Sequence, residues 1–324
     1  MDNRGLLDLI ISLLPCLNYP QRIMLQKAFD REEDFVIQSK EDIEKNLKHE
    51  LMCFWNIDEV RVRAEWITSV CAKRAINWVS WTSPSYPPLL REIYDPPPVI
   101  YYRGLLPNPE KSLLGMVGTR KPSAEGSEQA YSIARGAGEA GISVVSGLAL
   151  GIDAMSHRGN LSSGVPGYAV LGSGADEIYP SSNRLLARRI LDSGGAILSE
   201  YPPGTPPAKW NFPARNRIIS AFSRSVLIVE APQKSGALIT AGFALEQGKE
   251  LWVASLGVKQ DGAFDKSGTA KLADDGAEII FQARDVLEKW NMEIADEKAS
   301  AVTESGESGN ALASSIAKLL EIDL

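Results

Sequence analysis

The chain has 324 residues, 44% of them apolar, and a formal net charge of −7. That length accommodates two domains with a sizeable core, and the acidic balance excludes a surface coated in positive charge while allowing a local basic field. With only three cysteines and two histidines, a disulfide framework and a His-rich metal centre are excluded as organising features; no metal and no cofactor is expected.

Cys16, Cys53 and Cys71 form no close pair in sequence, which predicts buried thiols in a reducing cytoplasm. The apolar opening LLDLIISLL contains Asp8, lacks a basic lead and has no small-residue cleavage site after it, so it does not read as a signal sequence. No apolar run reaches membrane-spanning length, and a cytoplasmic protein that does not engage membrane is expected.

Residues 1–77 carry helix periodicity. Leu6, Leu9, Ile10 and Leu13 share one face, and Val60, Ala64, Ile67 and Cys71 another. This predicts a small helical domain. Its LPCLNYP turn, Leu14 to Pro20, sits where a helix-hairpin-helix would bind phosphate but lacks that motif's glycines, so packing is the expected role. Residues 78–112, rich in Trp, Tyr and Pro, predict an ordered, extended connector that opens a second domain over 78–290.

From Leu113 short apolar runs alternate with helical segments: LLGMVG, ISVVSG, YAVLG, AILSE, SVLIVE and LWVAS. Consecutive apolar residues are what a parallel strand covered on both faces requires, so an α/β, doubly wound, mostly parallel sheet is predicted. Ligands of such sheets bind beyond the carboxyl ends of the strands. The loops at those ends are GTRKPSAEG, SGLALGIDAMSHRG, GSGADEIYPSSNR, SEYPPGTPPAKWNFPARNR and EAPQKSGALITAG. None is a GxGxxG fingerprint or a P-loop, so dinucleotide and ATPase chemistry have poor support.

The bases on those loops converge instead. Arg120 and Lys121 follow the first strand, Arg184 the third, and Lys209, Arg215 and Arg217 the fourth. Between Arg184 and Arg224 seven bases face only Asp192 and Glu200, and Trp210 and Phe212 interleave with them in a proline-held loop expected to run to about Ala214. Cations among aromatic faces suit a single-stranded nucleic acid; a solvated arginine face over core aromatics is the other reading. Asp153 and His157, at i, i+4 spacing, could form an acid–base pair, cap a helix or be satisfied structural groups. Ser235, Gly236 and Thr240 look like a helix-end anion site, and Glu230 either orients a ribose or is structural. From Asn291 seven acids face two bases; residues 291–324 predict an acidic linker and a short amphipathic tail.

The segments YPPLLREIYDPPPVIYYRG, VGTRKPSAEG, VVSGLALGIDAMSHRG, AVLGSGADEIYPSSNR, ILSEYPPGTPPAKWNFPARNRIIS and VEAPQKSGALITAGFALEQGKE resemble, in order and spacing, the DNA-processing protein A (DprA/Smf) family over roughly residues 84–290. The resemblance implies an extended Rossmann-like domain behind a sterile-alpha-motif-like helical domain. It implies a non-catalytic, homodimeric protein that binds single-stranded DNA, protects incoming strands in natural transformation and loads the RecA recombinase. Carried onto this chain, the DNA pocket uses Arg120, Lys209 and Phe212, helped by Arg184, Asn211, Arg215 and Asn216. Gly118, Thr119, Lys121 and Ser123 of the same first loop are counted with them. Ser146, Gly147, Asp153, Gly172, Ser235, Gly236 and Thr240 are expected to support the loops or meet anions.

Leu150 departs from the family's usual arginine, and Ala270 from its usual asparagine. Many members end in a winged helix; the stretch after Trp290 is not expected to form a complete one. The competing reading is a Rossmann-like nucleotide phosphoribohydrolase, but KSGALITAG has one glycine before the threonine and no acid directly after it, unlike that group's PGGxGTxxE loop.

Overall fold

Five helices precede the first strand: α1 (Asn3–Leu13), α2 (Tyr19–Ala28), α3 (Glu32–Val36), α4 (Lys40–Leu47) and α5 (Ile57–Lys73). Their starts are written locally. The Asn18 and Ser39 side chains each accept from the backbone amide of the residue three positions on, and their own amides donate to that residue's side-chain oxygen, a capping box, and Pro20 sits in the first turn of α2 where no intrahelical donor is lost. Asn56 caps α5 by accepting from the Glu59 amide. Leu7, Ile10, Leu14, Phe35, Ile43, Ala64, Ile67 and Cys71 fill the space between them, and this core runs on into Val99, Tyr101 and Ala175 of the sheet region.

The computed structural model describes residues 3–259 and 264–292. The sequence continues through β1 (Asn77–Ser80), α6 (Pro88–Arg91), β2 (Val99–Gly104), β3 (Leu113–Val117), α7 (Ala124–Glu139), β4 (Ser143–Ser146), α8 (Ile152–Ser162) and β5 (Tyr168–Leu171). There follow α9 (Arg184–Asp192), β6 (Ala196–Ser199), α10 (Asn211–Phe222), β7 (Ser223–Ile228), α11 (Gly236–Glu246) and β8 (Glu250–Ala254). The described part ends with α12 (Ser255–Val258), α13 (Ser267–Asp274), β9 (Glu278–Ile280) and α14 (Ala283–Lys289). The strands form one sheet in the order β1-β2-β6-β5-β4-β3-β7-β8-β9. From β6 to β9 every pairing is parallel; β2 lies antiparallel to both β1 and β6. The fold is an α/β doubly wound, mostly parallel sheet.

All six apolar runs are strands, β3 to β8. Their alternate residues face opposite sides of the sheet, as period-2 side chains must. Leu113, Val117, Val145, Val170, Val226 and Ile228 meet Ile218, Ile219 and Phe222 of α10 and Ala237 and Ala241 of α11. Leu114, Met116, Val144 and Leu227 meet Ala130, Ile133, Ala134 and Ala137 of α7 and the pair Trp252 and Trp290. Burying each of the larger side chains contributes roughly 1.5–3 kcal/mol before entropy.

Three expectations are corrected. The 78–112 segment supplies the antiparallel strands β1 and β2 as well as a connector, because its prolines fall outside the strands, at 84, 87, 88, 96, 97, 98, 107 and 109. Helix α10 starts at Asn211 and carries Pro213 within its first turn, where the missing N–H costs nothing, so the proline-held loop ends earlier than Ala214. Cys16 and Cys53 are neighbours: Cys16 Sγ reaches the Met52 carbonyl at 3.6 Å and Cys53 Sγ the Pro15 carbonyl at 3.7 Å, because the α1–α2 turn packs against the segment before α5. Cys16 is exposed, and only Cys71 is buried. The acidic linker and amphipathic tail lie outside the described residues, beyond residue 292.

Candidate nucleic-acid interface

The sheet order places β3 between β4 and β7. The chain leaves these strands in opposite directions, and the crevice at their carboxyl ends is the switch point where doubly wound sheets hold ligands. Backbone bonds lace the loops together there: the Thr119 amide donates to the Glu230 carbonyl at 2.7 Å, and the Ile152 amide to the Thr119 carbonyl at 3.2 Å. Ser123 is buried and caps α7, accepting from the Gly126 amide at 2.9 Å, while its own amide donates to Glu230 Oε2 at 2.8 Å. Glu230 also pairs with buried Lys266 at 3.5 Å, so the structural reading of this carboxylate holds. Gly118 and Thr119 are half-buried in this lacing, which leaves Arg120 and Lys121 exposed at its tip.

Beneath the rim lies a buried charge. Arg215 of α10 is 4% exposed, and its Nη1 donates to the carbonyls of Gly147, at 3.0 Å, and Val170. Burial pushes its pKa down to about 10, opposed by the Asp153 carboxylate and reinforced by the Arg120 cation. Asp153 Oδ2 in turn accepts from the amides of Gly147 and Ala149 at 3.1 and 3.3 Å. Burial raises the Asp153 carboxyl above its usual range, with Arg215 and these amides pulling the other way. A Cβ on Gly147 would stand 2.6 Å from both Arg215 Nη2 and Asp153 Oδ2, so a larger residue there would require these side chains to shift. Asn211 and Asn216 are buried as well: Asn211 Nδ2 donates to the Gly172 carbonyl at 2.9 Å, and Asn216 accepts from Arg215 Nε and donates to the Gly236 carbonyl at 3.1 Å. Ser146 Oγ is tied to the Met116 carbonyl at 2.6 Å. Asn216, Asn211 and Ser123 therefore position the loops rather than present their polar atoms to a ligand, and Arg215 braces the loops from the floor of the rim.

What this framework presents is an aromatic ring between polar arms. Phe212 lies half-buried over Gly172, where a Cβ would come within 2.9 Å of its ring. The Arg120 guanidinium carbon stands 5.5 Å from its centroid, and the Tyr179 ring packs against it at 5.6 Å, tilted by 40°. These three side chains, with Gly147, Ala149, Leu150, Pro180 and Arg215, line a cavity of about 50 Å³. Lys209, Trp210 and Arg184 are exposed, Trp210 by 77%. Tyr179 was missed in the sequence; its signal was the aromatic inside the third polar loop. Leu150, half-exposed, supplies apolar wall where a cation was expected from the family pattern.

Several predicted residues are not on this surface. Arg217 is buried and held bidentately by Glu200, at 2.8 and 2.6 Å, with Asp95 at 3.0 Å, because it points back from α10 toward β2 and β6. Arg224 opens β7 at the opposite end of the strand and stacks on Trp290 at 5.0 Å. At the fifth loop Ser235 Oγ caps α11 by accepting from the Ala237 amide at 3.2 Å, the carbonyl of exposed Gly236 accepts from Asn216, and Thr240 is 1% exposed, so Thr240 does not reach an anion from solvent. His157 is fully buried with neither ring nitrogen hydrogen-bonded; burial and the Arg215 charge lower its pKa to about 3. It is a neutral core imidazole, not half of an acid–base pair. A larger cavity of about 780 Å³ lies between α1, α5 and the 80–85 loop, but three of its lining residues, Ser80, Thr82 and Arg4, are engaged by the buried Asp8 carboxylate, which accepts from Ser80 at 2.6 Å and from Thr82 and pairs with Arg4. No group of three or more potential metal ligands occurs among the described residues, and none of the described helices is long and apolar enough to cross a membrane.

The family model described as DNA recombination-mediator protein A matches residues 77–291. The chain belongs to this family. The Smf protein of Synechocystis sp. is 46% identical over 208 residues, which is 63% of this chain and 51% of that one; the chain thus spans about half the length of this relative. The crystal structure of DNA processing protein A from Streptococcus pneumoniae superposes with a TM-score of 0.70 at 30% identity, covering 91% of this chain and 99% of that chain. A structure of DNA processing protein A from Helicobacter pylori, whose description concerns its single-stranded DNA binding mode, matches with a TM-score of 0.58 at 28% identity, over 66% of this chain and 96% of that one.

Proposed function

We propose that this protein binds single-stranded DNA without base specificity at the switch-point rim, shields incoming strands during transformation and passes them to the RecA recombinase, without catalysis. The observation that carries this reading is the Phe212 ring held between Arg120 and Tyr179 at the mouth of the cavity. An aromatic face gives any base a stacking platform, and a guanidinium beside it gives the flanking phosphate a bidentate donor. Arg120, Lys121, Lys209 and Arg184 take the phosphates, Phe212 takes a base, and the buried residues beneath hold the loops. The Helicobacter pylori relative's single-stranded DNA binding mode supports the choice of ligand. Homodimerisation through the α/β region belongs to the same proposal, with the helical segment 1–77 as its appended domain.

Polarisation titrations of labelled oligonucleotides at several salt concentrations test it. Arg120→Ala and Lys209→Ala are expected to weaken binding at every sequence, each lowering the slope of log K against log salt by about 0.7; variants that bind like the parent would overturn the pocket. RecA filament growth on a strand bearing a single-strand-binding protein reads the delivery step, and light scattering reads the dimer. The phosphoribohydrolase reading calls for a carboxylate at the reacting centre. Among the described residues lining the cavity there is none, so release of free base from nucleoside monophosphates is not expected.

A further inference from the structure

The rim continues onto the helical region. Asp176, in the third loop, accepts from the Gly204 amide of the fourth loop at 3.0 Å and pairs with Arg74 at the end of α5. The far edge of the Trp66 indole, on the same helix, comes within 3.9 Å of where a Gly204 Cβ would stand, yet Trp66 remains 54% exposed. At 100° per residue Arg63, Trp66, Val70, Lys73 and Arg74 share one face of α5, and Arg63, Trp66, Lys73 and Arg74 are exposed on it. An exposed indole among cations repeats on a helix the pattern that Trp210, Phe212 and Lys209 make in the fourth loop.

The strand order explains the continuity. Loops three and four leave β5 and β6, and β6 neighbours β2, the strand whose Val99 and Tyr101 share a core with α5. The rim therefore runs from Arg120 over Phe212 and the Gly204 turn to α5. A groove of about 560 Å³ lies beyond it, lined by Val62, Arg63 and Trp66 and closed by Asn56, Asp58 and Glu59. Those two carboxylates repel phosphate and set an end to the track at Arg63.

We infer that the α5 face of Arg63, Trp66 and Lys73 is a second single-stranded nucleic-acid contact, which a strand reaches only after crossing the Gly204 turn from the rim. The inference rests on the rim reading proposed above. A strand too short to cross the turn would not feel α5, whereas a longer one would stack a base on Trp66 and place phosphates beside Arg63 and Lys73.

Full-length Trp66→Ala and Arg63→Glu, both at exposed positions, are titrated beside Arg120→Ala with oligothymidines of about 6 and about 20 nucleotides, lengths bracketing ordinary single-strand site sizes. Both α5 variants are expected to match the parent on the short strand and to bind the long one roughly tenfold more weakly, with Arg63→Glu also flattening the salt slope. Arg120→Ala is expected to weaken both. If the α5 variants match the parent on both strands while Arg120→Ala weakens both, the α5 contact is refuted and the rim stands. If they weaken both strands equally, the track beyond the Gly204 turn is refuted. Should Arg120→Ala bind both strands like the parent, the rim reading fails and the continuous track fails with it.

Discussion

Arg120 and Phe212, 92 positions apart in the sequence, meet with the guanidinium carbon 5.5 Å from the ring centre. The contact joins the loop after β3 to the start of α10 across the carboxyl ends of β4 and β5. A cation over an aromatic face at an exposed site contributes about 0.5–1 kcal/mol, enough to bias the arm but not to lock it.

Phe212→Ala and Tyr179→Ala separate stacking from charge. Phe212→Ala is expected to cost roughly tenfold in affinity for single strands, from the ~1–3 kcal/mol of a base–aromatic stack, and to leave the salt slope unchanged. Tyr179→Ala should cost less, because Tyr179 packs against the Phe212 ring and acts through it. A salt slope that fell in either variant would mean that the rings act by placing Arg120.

Leu150→Arg restores a cation at the half-exposed wall of the cavity. Affinity is expected to rise at low salt and the slope to steepen by about 0.7, one phosphate contact on a single strand. Unchanged binding would place the backbone path away from the second loop.

Arg215→Ala removes a buried cation and leaves Asp153 and the carbonyls of Gly147 and Val170 without it. Each buried polar group left without its partner costs about 1–3 kcal/mol. The expected result is a large loss in the denaturation midpoint with the m-value retained, and loss of DNA binding only as far as the folded fraction falls. Full stability with lost binding would make Arg215 a direct contact.

His157 gives the fold an acid limit. Its folded pKa of about 3 lies below the ordinary 6.5, so the unfolded chain holds one more proton between those values. The contribution is intact above pH 6.5 and is lost as pH falls toward 3, on the order of 1 kcal/mol per unit. In urea titrations from pH 7 to 4.5, His157→Gln is expected to have a shallower decline than the parent, and identical declines would assign the acid sensitivity to other groups.

The strands and the polar loops were legible because each rests on neighbours in sequence. LLGMVG and SVLIVE are short runs apolar on consecutive residues and bounded by polar, glycine-rich loops, which suits a strand covered on both faces. The loop glycines and the family pattern then pointed to Arg120, Lys209 and Phe212, which the structure brings to one rim with Lys209 and Arg120 exposed. The pairing of β2 with β6 was not legible, since Tyr101 finds Ser199 through a ladder between segments a hundred residues apart. Nor was the meeting of Cys16 with Cys53, which depends on how α1 packs against the segment before α5.

The basic run between Arg184 and Arg224 divides the two kinds of knowledge. The sequence by itself determined that the cations exist, that acids are scarce among them, and that aromatics stand beside them. The tertiary structure alone decided which of them face solvent. Arg215 and Arg217 are buried because carbonyls 68 and 45 residues away and the carboxylates of Glu200 and Asp95 surround them, whereas Arg120 and Lys209 stay exposed. A charge leaves water only where partners replace its hydration, and those partners are brought together by the sheet, not by proximity along the chain.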